Sequence, residues 1–140
     1  MYFIDANVFL EVMLEQENSL SCIKLLKNLE KGKLLGYTND FLLYSICLTI
    51  INKMNVLDLV EKFLKTINSY NNLVIYYPSI SDLLQAISFM SIYKLDFDDS
   101  LVLSCMKSLK IKKIISFDKH FDTISQISRI EPSNLKFNNE

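Results

Sequence analysis

The run Tyr2-Phe3-Ile4-Asp5-Ala6-Asn7-Val8-Phe9-Leu10 constrains this chain more than any other stretch. Three apolar residues lead into an acid, and a helical apolar pattern follows. A segment apolar on both faces predicts a short strand covered on both sides, as parallel strands are. Asp5 then stands at the carboxyl end of that strand and at the start of a helix. In open α/β sheets this is the edge where ligands bind. A carboxylate there can cap the helix by accepting backbone N–H bonds, and it can equally ligate a metal ion. The stretch by itself leaves both roles open.

The alternation continues along the chain. The first helix is expected to reach about Glu15. Ser19 or Ser21 is expected to cap a second helix that turns Cys22, Ile23, Leu25, Leu26 and Leu29 inward and stops at Lys31-Gly32. Leu34 to Thr38 predicts a strand. Asn39 or Asp40 then caps a helix from Phe41 to about Lys53, apolar nearly all round and therefore central. Another helix starts at Asn55 or Val56, with Leu57, Leu59, Val60, Phe63, Leu64 and Ile67 on its apolar side. Leu73 to Tyr77 is a β-branched and aromatic strand stopped by Pro78. A helix capped by Ser79 or Ser81 runs to Lys94, with Asp82 in its first turn, and Phe97 to Leu109 is helical. Lys113 to Phe117 is a strand, a short helix follows Asp118, and a last strand lies near Ser128-Arg129-Ile130. Strands separated by helices predict an α/β fold with a mostly parallel central sheet and right-handed crossovers.

Composition narrows the function. A chain of 140 residues suits one domain, 1–140, around one core. Half its residues are hydrophobic and 22% are charged, which excludes a disordered chain. A net charge of -1 speaks against a high-affinity DNA binder with a basic coat. It leaves room for an enzyme that engages a short stretch of RNA through metal ions. Lys107, Lys110, Lys112, Lys113 and Lys119 form a local basic region, read as a solvated helix end and loop. Cys22, Cys47 and Cys105 are widely spaced in apolar patterns, as reduced thiols of a cytoplasmic protein would be. No run suggests a membrane span, and no basic leader precedes the first strand. With two glycines and two prolines, the chain has no Gly-rich phosphate loop.

Two further acidic stretches share the context of Asp5. Asp98-Asp99 opens an apolar helix, and Asp118 follows the strand Ile114-Ile115-Ser116-Phe117. Clustered carboxylates cannot all ionise side by side without a cation. Hard oxygen donors suit Mg²⁺ or Mn²⁺. Other chemistries fit less well. The serines lack a His–Asp partner set. A phosphatase of the haloacid-dehalogenase kind also starts with a strand ending in Asp, but wants a second acid two residues later, where Asn7 stands and cannot donate a carboxylic proton. His120, the only histidine, is read as an exposed residue near the Asp118 motif, with a general-base role as the alternative. Tyr76-Tyr77 is read as strand core, although aromatic rings there could stack bases.

Taken together, strand–Asp5-x-Asn7, Leu95-x-Phe97-Asp98-Asp99-Ser100-Leu101 and Ile114-Ile115-Ser116-Phe117-Asp118-Lys119-x-Phe121-Asp122 resemble the PIN domain, with archaeal and VapC-type members nearest in pattern. The likeness covers nearly the whole chain. It implies a three-layer α/β/α sandwich and a metal-dependent ribonuclease leaving 5′-phosphate and 3′-hydroxyl ends. It also implies a toxin paired with an antitoxin, and a homodimer. The family's acids fall on Asp5, Asp99 and Asp118, with Asp98 as a stand-in for Asp99. Asn7 and Ser116 fall on supporting positions, and Asp122 on a structural one. One departure stands out: the family's central-helix glutamate falls on Cys47, and no Glu occurs between Glu30 and Glu61. Asp40, the only acid of that helix, lies about 10 Å away along the axis. A thiol is a poor ligand for Mg²⁺. The alternative is therefore a PIN domain with impaired catalysis that binds RNA or protein.

Overall fold

The computed structural model describes residues 1–137. β1 (Tyr2–Ile4) leads into α1 (Ala6–Met13), which is followed by α2 (Ser19–Glu30) and β2 (Gly36–Asn39). α3 (Asp40–Met54), α4 (Leu57–Ser69), β3 (Leu73–Tyr76), α5 (Ile80–Tyr93) and α6 (Phe97–Ser108) come next. β4 (Lys113–Ile115) and β5 (Ser128–Ile130) complete a sheet of order β3-β2-β1-β4-β5, in which every pairing is parallel. The expected sheet was mostly parallel; among the described residues it is entirely so.

Side-chain alternation in β1 creates the layers. Phe3 and Ile4 are both fully buried, on opposite faces. Ile4 packs with Ile115 against α1 to α4, through Val8, Leu25, Ile46 and Phe63. Phe3 packs with Ile114 against α5 and α6, through Ala86, Leu101 and Met106. Two cores on the two faces of one sheet make the α/β/α sandwich. Gly36 lets these side chains pack close to the sheet: a Cβ there would stand 2.6 Å from Ile4 Cδ1 and 2.9 Å from Leu29 Cδ2, so both tips would have to shift.

Several boundaries differ from expectation for local reasons. α1 ends at Met13, and Glu15 adopts a left-handed φ of 51°. Asn18, and not Ser19 or Ser21, precedes α2, without a side-chain cap bond. β2 starts at Gly36 and includes Asn39. Asn39 caps α3 by accepting from Leu42 N at 2.8 Å. β4 stops at Ile115, although Ser116 N still donates to Ile130 O at 3.1 Å, and the Ser116 side chain bonds to Asp5 beyond the strand. The short helix after Asp118 is a 3-10 turn, Lys119–Thr123. The three cysteines are free thiols. Among the described residues, no helix is long and apolar enough to cross a membrane.

Candidate active site

From β1 the chain moves through β2 to β3 on one side, and β4 and β5 lie on the other. The direction of winding therefore changes between β1 and β4. In parallel α/β sheets the crevice beyond the strand ends at such a switch is where ligands bind. Asp5 follows β1 there, and Asp118 follows β4.

Asp5 is tied across this switch. Its Oδ1 accepts from Ala6 N at 2.7 Å, the N-cap bond of α1. Its Oδ2 accepts from Asn7 Nδ2 at 3.1 Å and from the Ser116 hydroxyl. Ser116 Oγ in turn accepts from Asp118 N at 2.9 Å and from Asn7 Nδ2 at 3.2 Å. Asn7 thus uses both amide hydrogens, and Ser116 its one donor and both lone pairs. The supporting roles expected of Asn7 and Ser116 have this geometry. Asp5 Oδ1, with a single partner, keeps a lone pair.

Asp99 lies in the first turn of α6 and is 9% exposed, whereas its neighbour Asp98 is exposed. Among the described residues, no hydrogen bond reaches the Asp99 carboxylate. Asp118 caps the 3-10 turn by accepting from His120 N at 2.9 Å. His120 Nδ1 stands 3.1 Å from Asp118 Oδ1 and 3.8 Å from Asp99 Oδ2. One donor atom each from Asp99, Asp118 and His120 fall within 4.8 Å of one another.

The electrostatics follow from burial and crowding. Burial pushes the Asp5 carboxyl up to about 6; bonds from Ser116 and Ala6 oppose this, and the charges of Asp118 and Asp98 add to it. Burial likewise pushes Asp99 up to about 7, helped by Asp98, Asp118 and Asp5 and opposed by His120. Carboxyls that resist ionising together are relieved by a cation. A set of carboxylate oxygens with one imidazole nitrogen fits a divalent ion.

Cys47 sits half-buried in α3 and packs against the α1–α4 core. Burial raises its thiol, which keeps it neutral and unsuited to a hard cation. Asp40 is the first residue of α3. Asp122, read as structural, pairs with Arg129 Nε at 2.8 Å and Nη2 at 3.1 Å. Arg129 is a support that reasoning from the sequence missed. Its Nη1 also donates to Ser116 O and Glu131 Oε1, each at 3.0 Å, so it clamps the chain that carries Ser116. The available signal was that it is the only arginine among many lysines, at a place that needs a planar fork.

The PIN domain family model matches residues 2–127. The chain belongs to the PIN domain family. Among solved structures, this PIN domain is similar to the VapC20 toxin of Mycobacterium tuberculosis, described as cleaving the sarcin-ricin loop. The TM-score is 0.76 at 12% identity, covering 89% of this chain and 95% of that one. It is also similar to a chain of a toxin–antitoxin complex from Klebsiella pneumoniae, with a TM-score of 0.72 at 10% identity over 96% and 100% of the two chains. At these identities the likeness is one of fold. No match was found among curated proteins.

Proposed function

We propose that residues 1–140 form one PIN unit that hydrolyses RNA phosphodiesters with Mg²⁺ or Mn²⁺, as a VapC-like toxin. The observation that carries this reading is the convergence of Asp5, Asp99 and Asp118 at the switch point between β1 and β4, close enough that the charge of Asp118 raises the proton affinity of both Asp5 and Asp99. These three acids would hold the cation. When bound, it supplies Lewis acidity to the phosphodiester and to the attacking water. The chain supplies position. Ser116 and Asn7 fix the orientation of Asp5, and Arg129 holds the Ser116 carbonyl through its guanidinium.

An antitoxin-like protein partner belongs to the same proposal, as does a homodimer. Support for a protein contact comes from exposed apolar rows, Tyr44 and Leu48 on α3 and Ile80, Leu84 and Ile87 on α5. Equilibrium sedimentation of the wild type and Leu84→Asp tests the dimer: only monomer at high concentration in the wild type sinks it. Residence in the cytoplasm is proposed on the three free thiols.

A second reading, a PIN domain with impaired catalysis acting as a binding module, is favoured by the neutral thiol of Cys47 in α3. Cleavage of labelled generic RNA with Mn²⁺ or Mg²⁺ separates the two. Cutting by the wild type that is lost in Asp99→Asn supports the nuclease. A silent wild type with an active Cys47→Glu variant supports the binding module. Silence in all three proteins overturns the site.

A further inference from the structure

We propose that His120 is a metal ligand alongside Asp99 and Asp118, and that its nitrogen tilts the site toward Mn²⁺ over Mg²⁺. This inference rests on the metal-site reading above and specifies its donor set and ion preference.

The geometry comes first. In an octahedral site with donors about 2.1 Å from the ion, adjacent donors stand about 3.0 Å apart and opposite ones about 4.2 Å. The imidazole Nδ1 stands 3.1 Å and 3.8 Å from the nearest oxygens of Asp118 and Asp99, which falls inside that range. The ring faces the acids because the backbone holds it there. His120 N donates to Asp118 Oδ1, its carbonyl accepts from Thr123 Oγ1 at 2.9 Å, and the next residue, Phe121, is fully buried as an anchor. The His120 side chain itself is 72% exposed, so it can make the small rotation that closes on an ion.

A second observation points to the same ligand. Asp99 is nine-tenths buried, and among the described residues no donor reaches its carboxylate. The nearest imidazole nitrogen, His120 Nδ1, stands at 3.8 Å, too far for a hydrogen bond. The Asp99 side chain is 13% exposed, so a carboxylate with no protein donor remains open to a cation from solvent. An ion between Asp99, Asp118 and His120 meets both acids at once. The neutral imidazole then offers the Nδ1 lone pair and keeps its proton on Nε2, toward solvent.

The consequence is selectivity. Mg²⁺ prefers an all-oxygen environment, whereas imidazole suits transition metals. His120 adds to the three acids a nitrogen donor from the turn after β4. At the position of the family's glutamate, central helix α3 offers a neutral thiol, Cys47.

The experiment uses the untagged chain, whose single histidine makes any imidazole signal assignable. Mn²⁺ and Mg²⁺ are titrated calorimetrically into the wild type and His120→Gln, and the Mn²⁺-loaded proteins are examined by electron spin-echo spectroscopy. Thermal melting confirms that the variant folds. The wild type is expected to show nitrogen modulation from a coordinated imidazole, absent in His120→Gln. The variant is expected to lose roughly tenfold or more in Mn²⁺ affinity, with a smaller loss for Mg²⁺. Mn²⁺ bound without nitrogen coupling overturns the proposal and leaves the nuclease reading standing, with His120 a mere ion-pair partner. Equal losses for both ions overturn the selectivity. No Mn²⁺ binding by the wild type overturns the metal site itself.

Discussion

Asp82 and Asp99 each stand in the first turn of an apolar helix, α5 and α6, and each is at least nine-tenths buried. Their surroundings differ. The Asp82 carboxylate accepts from Tyr76 Oη and Ser79 N, both at 2.8 Å, from Ser79 Oγ at 3.1 Å, and from Ser108 Oγ. Burial works against its ionised form, but the bonds from Ser108, Ser79 and Tyr76 prevail and hold the carboxyl below its usual range. No donor reaches Asp99 among the described residues, and its carboxyl is pushed the other way, to about 7. Asp82 closes a capping box and ties β3, α5 and α6 together. Asp99 has no such ties, and its carboxylate is the one proposed to meet a cation. Burial and helix position are shared; the supply of internal donors separates an acid of the architecture from an acid of the site.

The strongest way to break this comparison is on activity. Asp99→Asn is expected to lower metal-dependent RNA cleavage by roughly a hundredfold or more. Asp82→Asn, assayed well below its melting temperature, is expected to stay within about threefold of the wild type. Comparable losses in both variants would erase the distinction.

Stability should rank the two acids the other way. Asp82→Ala is expected to cost about 2–4 kcal/mol, because it removes a helix cap and strands the Tyr76 and Ser108 hydroxyls. Metal-free Asp99→Asn is expected to gain about 1–2 kcal/mol at pH 8, since one pKa unit corresponds to about 1.4 kcal/mol. Urea unfolding in a chelator measures both.

The pH dependence sharpens the contrast. In metal-free protein, Asp5 and Asp99 keep their protons up to about 6 and about 7, above the ordinary carboxyl value of 3.8. The folded state then binds more protons than the unfolded one, so their contribution is full below about 4 and is lost as pH rises through 6 to 7. Asp82 has the opposite sign: its contribution is present above 3.8 and is lost as pH falls through its depressed value. Melts in a chelator should therefore weaken from pH 5 to pH 8, and Mn²⁺ should remove that slope while leaving the acid-side loss. A flat profile in the chelator would count against the crowded site.

The smallest expected effect belongs to the support. Arg129→Met is expected to cost about 1–3 kcal/mol and to lower cleavage several-fold, by loosening the chain around Ser116. Unchanged cleavage in the folded variant would restrict Arg129 to architecture.

The same comparison explains what the sequence reveals. β1, β4 and their terminal acids are legible because apolar runs end abruptly in Asp5 and in Ser116-Phe117-Asp118. The two-sided core is legible in Phe3-Ile4 and Ile114-Ile115. Asp82 and Asp99 look alike in sequence, each an acid opening an apolar helix, because the hydroxyls that distinguish them come from Tyr76 and Ser108, distant in the chain or on another element. The Arg129 clamp and the approach of His120 to Asp99 are likewise tertiary, made by a turn folding back beside β4. Strand ends shift by a residue or two, as at Ser116, whose side chain bonds beyond the ladder.

The central strand also carries a lesson about timing. β1 pairs with β4, and the bonds that join Ser116 to Asn7 and to Asp5 bridge separations of 109 and 111 residues. Contacts so distant in sequence close late in folding. A chain emerging amino end first shows Asp5 long before Ser116, Asp118 or His120 exist to join it. Under the proposed RNA-cleaving role, this order is a safeguard. The proposed site cannot assemble until β4 and the turn after it have emerged from the ribosome.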